Sequence, residues 1–243
     1  MEKKLKKPPE FIFFERYDSK TSFGFDDFEE KVKKQDVSIE ILYFRTSKTN
    51  FPAASPDELL KKNKFTEISE NLDESTETLL SLQSLNPGIQ NRVFSDFTEE
   101  DLSHAAFMRF GGIDSADICF LGPLDGRKKE MLLGIILASY IPEEMRLKDV
   151  FEFAENFQGN FSLKVFVSSV CPSCPPAAIV CGLLSLINKN IKTEIVDVKY
   201  FKKEADAYGV IGLPRIFLNE TTSITADSGP ARLLEGIKKA AGN

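Results

Sequence analysis

Twice along this chain the residue pattern spells the same series: a strand, a helix, a second strand, a hairpin, and a closing helix that follows a Gly-Pro step. The second copy is the clearer. Residues 162–168 are rich in Val and Phe and read as a buried strand, while residues 175–186 are apolar and helical. Residues 192–198 form the next strand, 201–208 an amphipathic helix, and 215–218 a strand that turns through 219–223. Pro230 sits at a helix start, where its missing donor does no harm, and Leu233, Leu234 and Ile237 mark the buried face. The predicted class is α/β: two tandem units with mixed central sheets flanked by helices.

The first copy is looser. Residues 38–44 match its first strand, 91–96 a later one, and 106–110 with 118–121 a hairpin around Gly111-Gly112. After Gly122-Pro123, residues 127–140 form the closing helix. Between Arg45 and Asn91 lies a stretch with Ser, Thr, Asn and Pro, where helices are expected at 56–64 and 74–85. Pro142 opens the join, because Leu147, Val150, Phe151, Ala154 and Phe157 recur at helical spacing and Gly159 supplies a stop. The expected organisation is an N-terminal tail over 1–23, one unit over 24–142 and a second over 143–243.

A chain of 243 residues accommodates two such units, and its 42% apolar and 28% charged content is ordinary for a globular protein. The net charge is -6, with Lys and Arg scattered among Asp and Glu, which argues against a nucleic-acid partner. Behind the basic start the apolar stretch covers only residues 11–14, too short for a signal peptide of about 7 to 15 apolar residues. The longest apolar run, 131–141, falls short of the roughly 20 residues that span a bilayer and reads as a buried helix. A soluble, cytoplasmic protein with no membrane partner is expected. The sequons at Asn160 and Asn219 are then chance matches.

Four cysteines, Cys119, Cys171, Cys174 and Cys181, are too few and too unevenly spread for a disulfide framework. Two of them form Cys171-Pro172-Ser173-Cys174, directly after a predicted strand and directly before a predicted helix. At a helix start the free N–H groups and the positive end of the macrodipole stabilise a thiolate, so Cys171 is read as a nucleophile with a lowered pKa. Cys174, three positions on, is close enough to attack a mixed disulfide and is read as the resolving thiol. Pro172 pre-sets φ, and Ser173 adds polarity without charge, which suggests a moderately reducing couple. A bare C-x-x-C also suits half of a zinc site, but no second C-x-x-C or C-x-x-H is present to complete it. Cys181, two helical turns beyond Cys174, and Cys119, in an apolar strand, are read as buried and inert. His104 is assigned no role. Roughly 40 residues after the motif, Gly212-Leu213-Pro214 leads into a strand.

With these pieces in place, residues 143–243 resemble a thioredoxin or glutaredoxin-type domain. The tandem plan is similar to glutaredoxin-like protein disulfide oxidoreductases and to the N-terminal region of the flavin-dependent alkyl hydroperoxide reductase subunit. The resemblance implies that the first unit is a redox-inactive thioredoxin-like domain, since its counterpart of the motif falls at residues 48–51, without cysteine, and its counterpart of the proline near Ala105. It implies a cis Leu213–Pro214 bond that turns the backbone toward the cysteines to pair with a substrate strand; an ordinary trans-proline opening an edge strand is the other reading. Unlike the flavin-dependent protein, the chain carries no glycine-rich dinucleotide fingerprint, so no flavin or NAD site is expected and the only redox group is the Cys171–Cys174 disulfide. Electrons would then come from a separate flavoprotein or a donor like thioredoxin reductase. The clients would be disulfide-containing proteins, a peroxiredoxin being the one the resemblance suggests.

Two positions depart from the thioredoxin pattern. Val170 replaces the tryptophan before the first cysteine, and Val165 stands where a buried acid serves proton transfer, so Asp197, Glu194 or solvent would have to act instead. The residues alone leave three functions open: a disulfide reductase or electron relay, a protein that forms or isomerises disulfides, and an interaction module whose thiols are incidental.

Overall fold

Short runs rich in Val, Ile, Phe and Leu build, among the described residues, nine strands that join into one sheet. In this computed structural model the described residues are 25–46, 66–68, 73–95, 103–110, 118–140, 148–225 and 230–242. The first copy comprises α1 (Phe25–Lys33), β1 (Ile39–Thr46), β2 (Thr66–Ile68), α2 (Glu74–Leu85), β3 (Ile89–Ser95), β4 (Ser103–Phe110), β5 (Ile118–Leu121) and α3 (Lys128–Tyr140). The second comprises α4 (Lys148–Asn156), β6 (Phe161–Val167), α5 (Cys174–Ile187), β7 (Ile191–Asp197), α6 (Lys202–Ala207), β8 (Arg215–Leu218), β9 (Thr222–Thr225) and α7 (Pro230–Ala240). The tail at 1–23, the helix expected at 56–64, the Gly111-Gly112 turn and the join at Pro142 lie outside the described residues.

The sheet order is β2-β3-β1-β4-β5-β7-β6-β8-β9. Within it the same arrangement occurs twice. β1 pairs in parallel with β3 and antiparallel with β4, which pairs antiparallel with β5. β6 likewise pairs in parallel with β7 and antiparallel with β8, which pairs antiparallel with β9. The two sheets expected from the sequence are therefore one, because β5 and β7 meet in parallel, Ile118 opposite Thr193 and Leu121 opposite Val196. The physical reason lies in β5 itself: Ile118, Cys119, Phe120 and Leu121 are all buried, the pattern of a strand covered on both faces.

The repeat extends to a side-chain clamp. After α2, the Asn86 amide donates to the carbonyls of Val32 and Gln35 at the end of α1, and its Oδ1 accepts from Gly88 N–H. After α5, the Asn188 amide donates to the carbonyls of Ala154 and Phe157 at the end of α4, and its Oδ1 accepts from Asn190 N–H. Each asparagine thus fixes one helix end and opens the next strand, satisfying carbonyls that a helix terminus leaves free.

Helix α3 is apolar all round. Met131, Leu132, Leu133, Ile135, Ile136 and Leu137 are all buried, as expected of a helix with protein on every side. It packs against α5 of the other copy at Gly182, where an added Cβ would come within 2.8 Å of Ile135 Cδ1. The first copy is therefore bonded to the second through the sheet and pressed against it through a helix. Element ends shift by a residue or more from expectation: α5 begins at Cys174, β3 at Ile89 and β4 at Ser103.

Candidate functional site

Two overlapping turns carry the chain from β6 to α5. Cys171 N–H donates to the Ser168 carbonyl at 3.2 Å, and Cys174 N–H donates to the Cys171 carbonyl at 3.4 Å. The sulfurs of Cys171 and Cys174 are joined in a disulfide, with the Cα atoms 5.4 Å apart. Cys171 is partly exposed and Cys174 is fully buried at the first residue of α5. Ser173 occupies the cap position but makes no side-chain cap bond, and Pro172 lies in the exposed turn ahead of the helix rather than in its first turn.

Pro175 and Pro176 follow, so two N–H groups normally free at a helix head are missing. With no acidic residue in the first turn of α5, the helix dipole faces Cys171 unopposed by a charge on its own helix.

The Leu213–Pro214 peptide bond is cis. Arg215, the first residue of β8, pairs with Phe166 on β6, so Pro214 falls beside the end of β6 from which the cysteine turn departs. Pro214 is buried, and Leu213 and Cys171 both pack against the same apolar cluster. Val170, 82% exposed, and Ile211, 86% exposed, stand in the two loops that bracket this place. Ile211 escaped the sequence reading; its signal is the apolar pair Val210-Ile211 in a loop between Gly209 and Gly212.

The two carboxylates considered for proton transfer both have cationic partners. Glu194 lies 3.1 Å from Lys164, and Asp197, without exposed side-chain surface, lies 2.5 Å from Lys128. Lys128 belongs to the first copy, and the sequence reading did not single it out. One of two adjacent lysines in the charged first turn of a helix carries no distinguishing signal.

Cys181 is buried in α5, and loss of solvent pushes its thiol well above the ordinary range. Cys119 is buried in β5. Among the described residues no group of three or more His, Cys, Asp or Glu is placed to hold a metal ion, and no helix is long and apolar enough to cross a membrane. In the first copy, Ala105 occupies a buried position on β4 opposite Phe44, and residues 48–51 lie outside the described segments.

No protein-family model matches the chain. Among characterised proteins, the alkyl hydroperoxide reductase component AhpF of Pseudomonas aeruginosa is 25% identical over 112 residues, 46% of this chain and 20% of the relative. The Escherichia coli AhpF is 25% identical over 97 residues, 40% of this chain and 18% of the relative. The chain thus spans about a fifth of the length of these relatives.

In three dimensions it is similar to AhpF of Enterococcus faecalis, with a TM-score of 0.64 at 16% identity over 86% of this chain and 95% of the other. A protein disulfide oxidoreductase from Aeropyrum pernix gives a TM-score of 0.56 at 18% identity, over 91% and 95%. Together with the duplicated strand order, these likenesses establish a thioredoxin-fold protein resembling the N-terminal region of AhpF and the protein disulfide oxidoreductases.

Proposed function

We propose that this chain is a thiol-disulfide oxidoreductase that relays electrons, with Cys171 as nucleophile and Cys174 as resolving thiol. The observation that carries this reading is the inequality of the two bonded sulfurs: one residue partly open at a turn, the other sealed at the head of α5. In the reduced state the Cys171 thiolate attacks a client disulfide. One client sulfur leaves as a thiolate and a mixed disulfide forms. Cys174, losing its proton, then attacks Cys171 Sγ and expels the second client sulfur, so that two electrons pass to the client and the Cys171–Cys174 disulfide closes. Leu213 and Pro214, with Val170 and Ile211 nearby, are placed to receive the client's backbone.

The chain needs no bound cofactor for this exchange. Its likeness to AhpF supports a separate flavoprotein or thioredoxin-reductase-like protein as donor and a peroxiredoxin among the clients, in the cytoplasm. The likeness to a protein disulfide oxidoreductase supports a second reading, disulfide formation or isomerisation in client proteins. A reduction potential near that of thioredoxin, about -270 mV, favours the reductant; one near that of protein disulfide isomerase, about -180 mV, favours the alternative.

The test of the shared chemistry is insulin reduction with a chemical reductant as donor. The wild type is expected to accelerate it, Cys171→Ser to fall to background, and Cys174→Ser to accumulate mixed disulfides. Equal activity of wild type and Cys171→Ser would leave the thiols incidental and favour an interaction module.

A further inference from the structure

The strands β1, β5, β6 and β7 run in one sense, so their C-terminal ends share the sheet edge at which the dithiol sits. At that edge lies a buried ammonium. Lys128, 1% exposed, places Nζ 2.5 Å from Asp197 Oδ2, 2.6 Å from Asp125 Oδ1 and 2.5 Å from the Pro123 carbonyl. The contact with Asp197 is an ion pair rather than an aligned hydrogen bond, while the other two oxygens accept from the ammonium. A charge so deeply buried persists only among counter-charges and acceptors.

The same segment of the first copy touches the turn that carries Cys171. Arg127 N–H donates to the Ser169 carbonyl at 3.1 Å, two residues before the cysteine, and a Cβ on Gly126 would lie 2.7 Å from that oxygen. Asp197 stands opposite Val167 in the sheet, and Val198 N–H bonds the Val167 carbonyl. Gly122 approaches so closely that a Cβ there would meet Asp197 Cβ at 2.8 Å. Two carboxylates against one ammonium give the cluster a net negative charge.

Resting on the dithiol reading above, we propose that Lys128, contributed by the cysteine-free copy, is a positioning residue for the redox pair: it anchors Asp197 beside the Cys171 turn and offsets carboxylate charge that opposes the Cys171 thiolate. Among the described residues, several other charges around the edge are paired or face rings. Arg127 pairs with Glu130 and Arg45 with Asp73, and Lys199 faces the Tyr200 ring that Lys128 also faces. Arg215 donates to Ser223 on the next strand.

The sign of the effect separates an electrostatic role from a merely structural one. At an effective dielectric near 20, one unit charge about 10 Å away moves a thiol's ionisation by roughly one pH unit. The pH dependence of iodoacetamide alkylation at Cys171, read on the reduced full chain, tests it. Asp197→Asn removes a negative charge and is expected to lower the midpoint by about one unit, whereas Lys128→Met raises it by about as much. Lys128→Arg keeps the charge and stays near wild type. If Lys128→Met does not fold, Asp125→Asn, which removes the other negative charge on Lys128, is expected to lower the midpoint as Asp197→Asn does. Midpoints that stay put, or move the same way in Asp197→Asn and Lys128→Met, overturn the proposal while leaving insulin reduction by the wild type intact. A wild type that never cycles between dithiol and disulfide removes the dithiol reading, and this proposal with it.

Discussion

Strands β5 and β9 hold the same place in the two copies, last of the four strands that repeat, yet their surroundings differ completely. β5 is Ile-Cys-Phe-Leu, buried at every position and paired on both sides. β9 is Thr-Ser-Ile-Thr, partly exposed and, among the described residues, paired only to β8. A strand that ends a sheet tolerates polar residues on both faces, whereas one continued by another strand and covered by helices does not. The copies also diverge in chemistry. The second carries the paired cysteines behind β6, and the first contributes Lys128 and the buried helix α3. Duplication has thus left one copy to hold the sulfurs and the other to supply their support.

Separating the copies is the severest test of this division. Residues 143–243 alone would leave the β7 edge unpaired and bare the face of α5 that α3 covers, an aggregation-prone combination. Loss of cooperative unfolding or self-association by sedimentation is expected; a fragment as stable and monomeric as the full chain would make the first copy an appendage. A smaller wedge is Gly182→Leu, which drives a side chain into Ile135 at the α3–α5 crossing. About 1–3 kcal/mol is expected to be lost in denaturant unfolding, in one transition shared by both copies; two separate transitions would show that the copies unfold independently.

The asparagine clamps sharpen the comparison further. Asn86→Leu and Asn188→Leu each abandon two carbonyls and one N–H, at a cost of about 1–3 kcal/mol, with Asn86 the larger because it is the more buried. The smallest effect concerns Cys181. Its thiol stays protonated in the fold but ionises in the unfolded chain above about pH 8.5, so the unfolded state binds fewer protons there and stability falls as pH rises. Full below about pH 8.5, this contribution is expected to decline by at most about 1.4 kcal/mol per pH unit above it, and Cys181→Ala removes the slope.

Most of the second copy was legible because Gly159 precedes β6, Pro214 precedes β8, and the Cys171–Cys174 motif sits between a strand and a helix of different periodicity. The duplicated plan was legible too, down to the closing helices after Gly122-Pro123 and at Pro230. The single sheet was not foreseen, although the unbroken apolar run of β5 carried the signal. Edge-to-edge pairing of β5 with β7, two strands remote in the chain, leaves no local mark except missing polarity. The correspondence of Asn86 with Asn188 was likewise hidden, since an asparagine after a helix reads as an ordinary cap. Lys128 was invisible for a different reason: a buried ammonium is decided by partners such as Asp197, which the sequence places far away.

The most direct test of the central claim maps alkylation of the reduced chain by peptide mass at neutral pH. Cys171 is expected to react at least about tenfold faster than the sealed Cys174, with a midpoint below the ordinary thiol value of about 8.5, and oxidation is expected to join the two and abolish both reactions. Equal, slow labelling of both sulfurs with an ordinary midpoint, and no Cys171–Cys174 bond on oxidation, would contradict it.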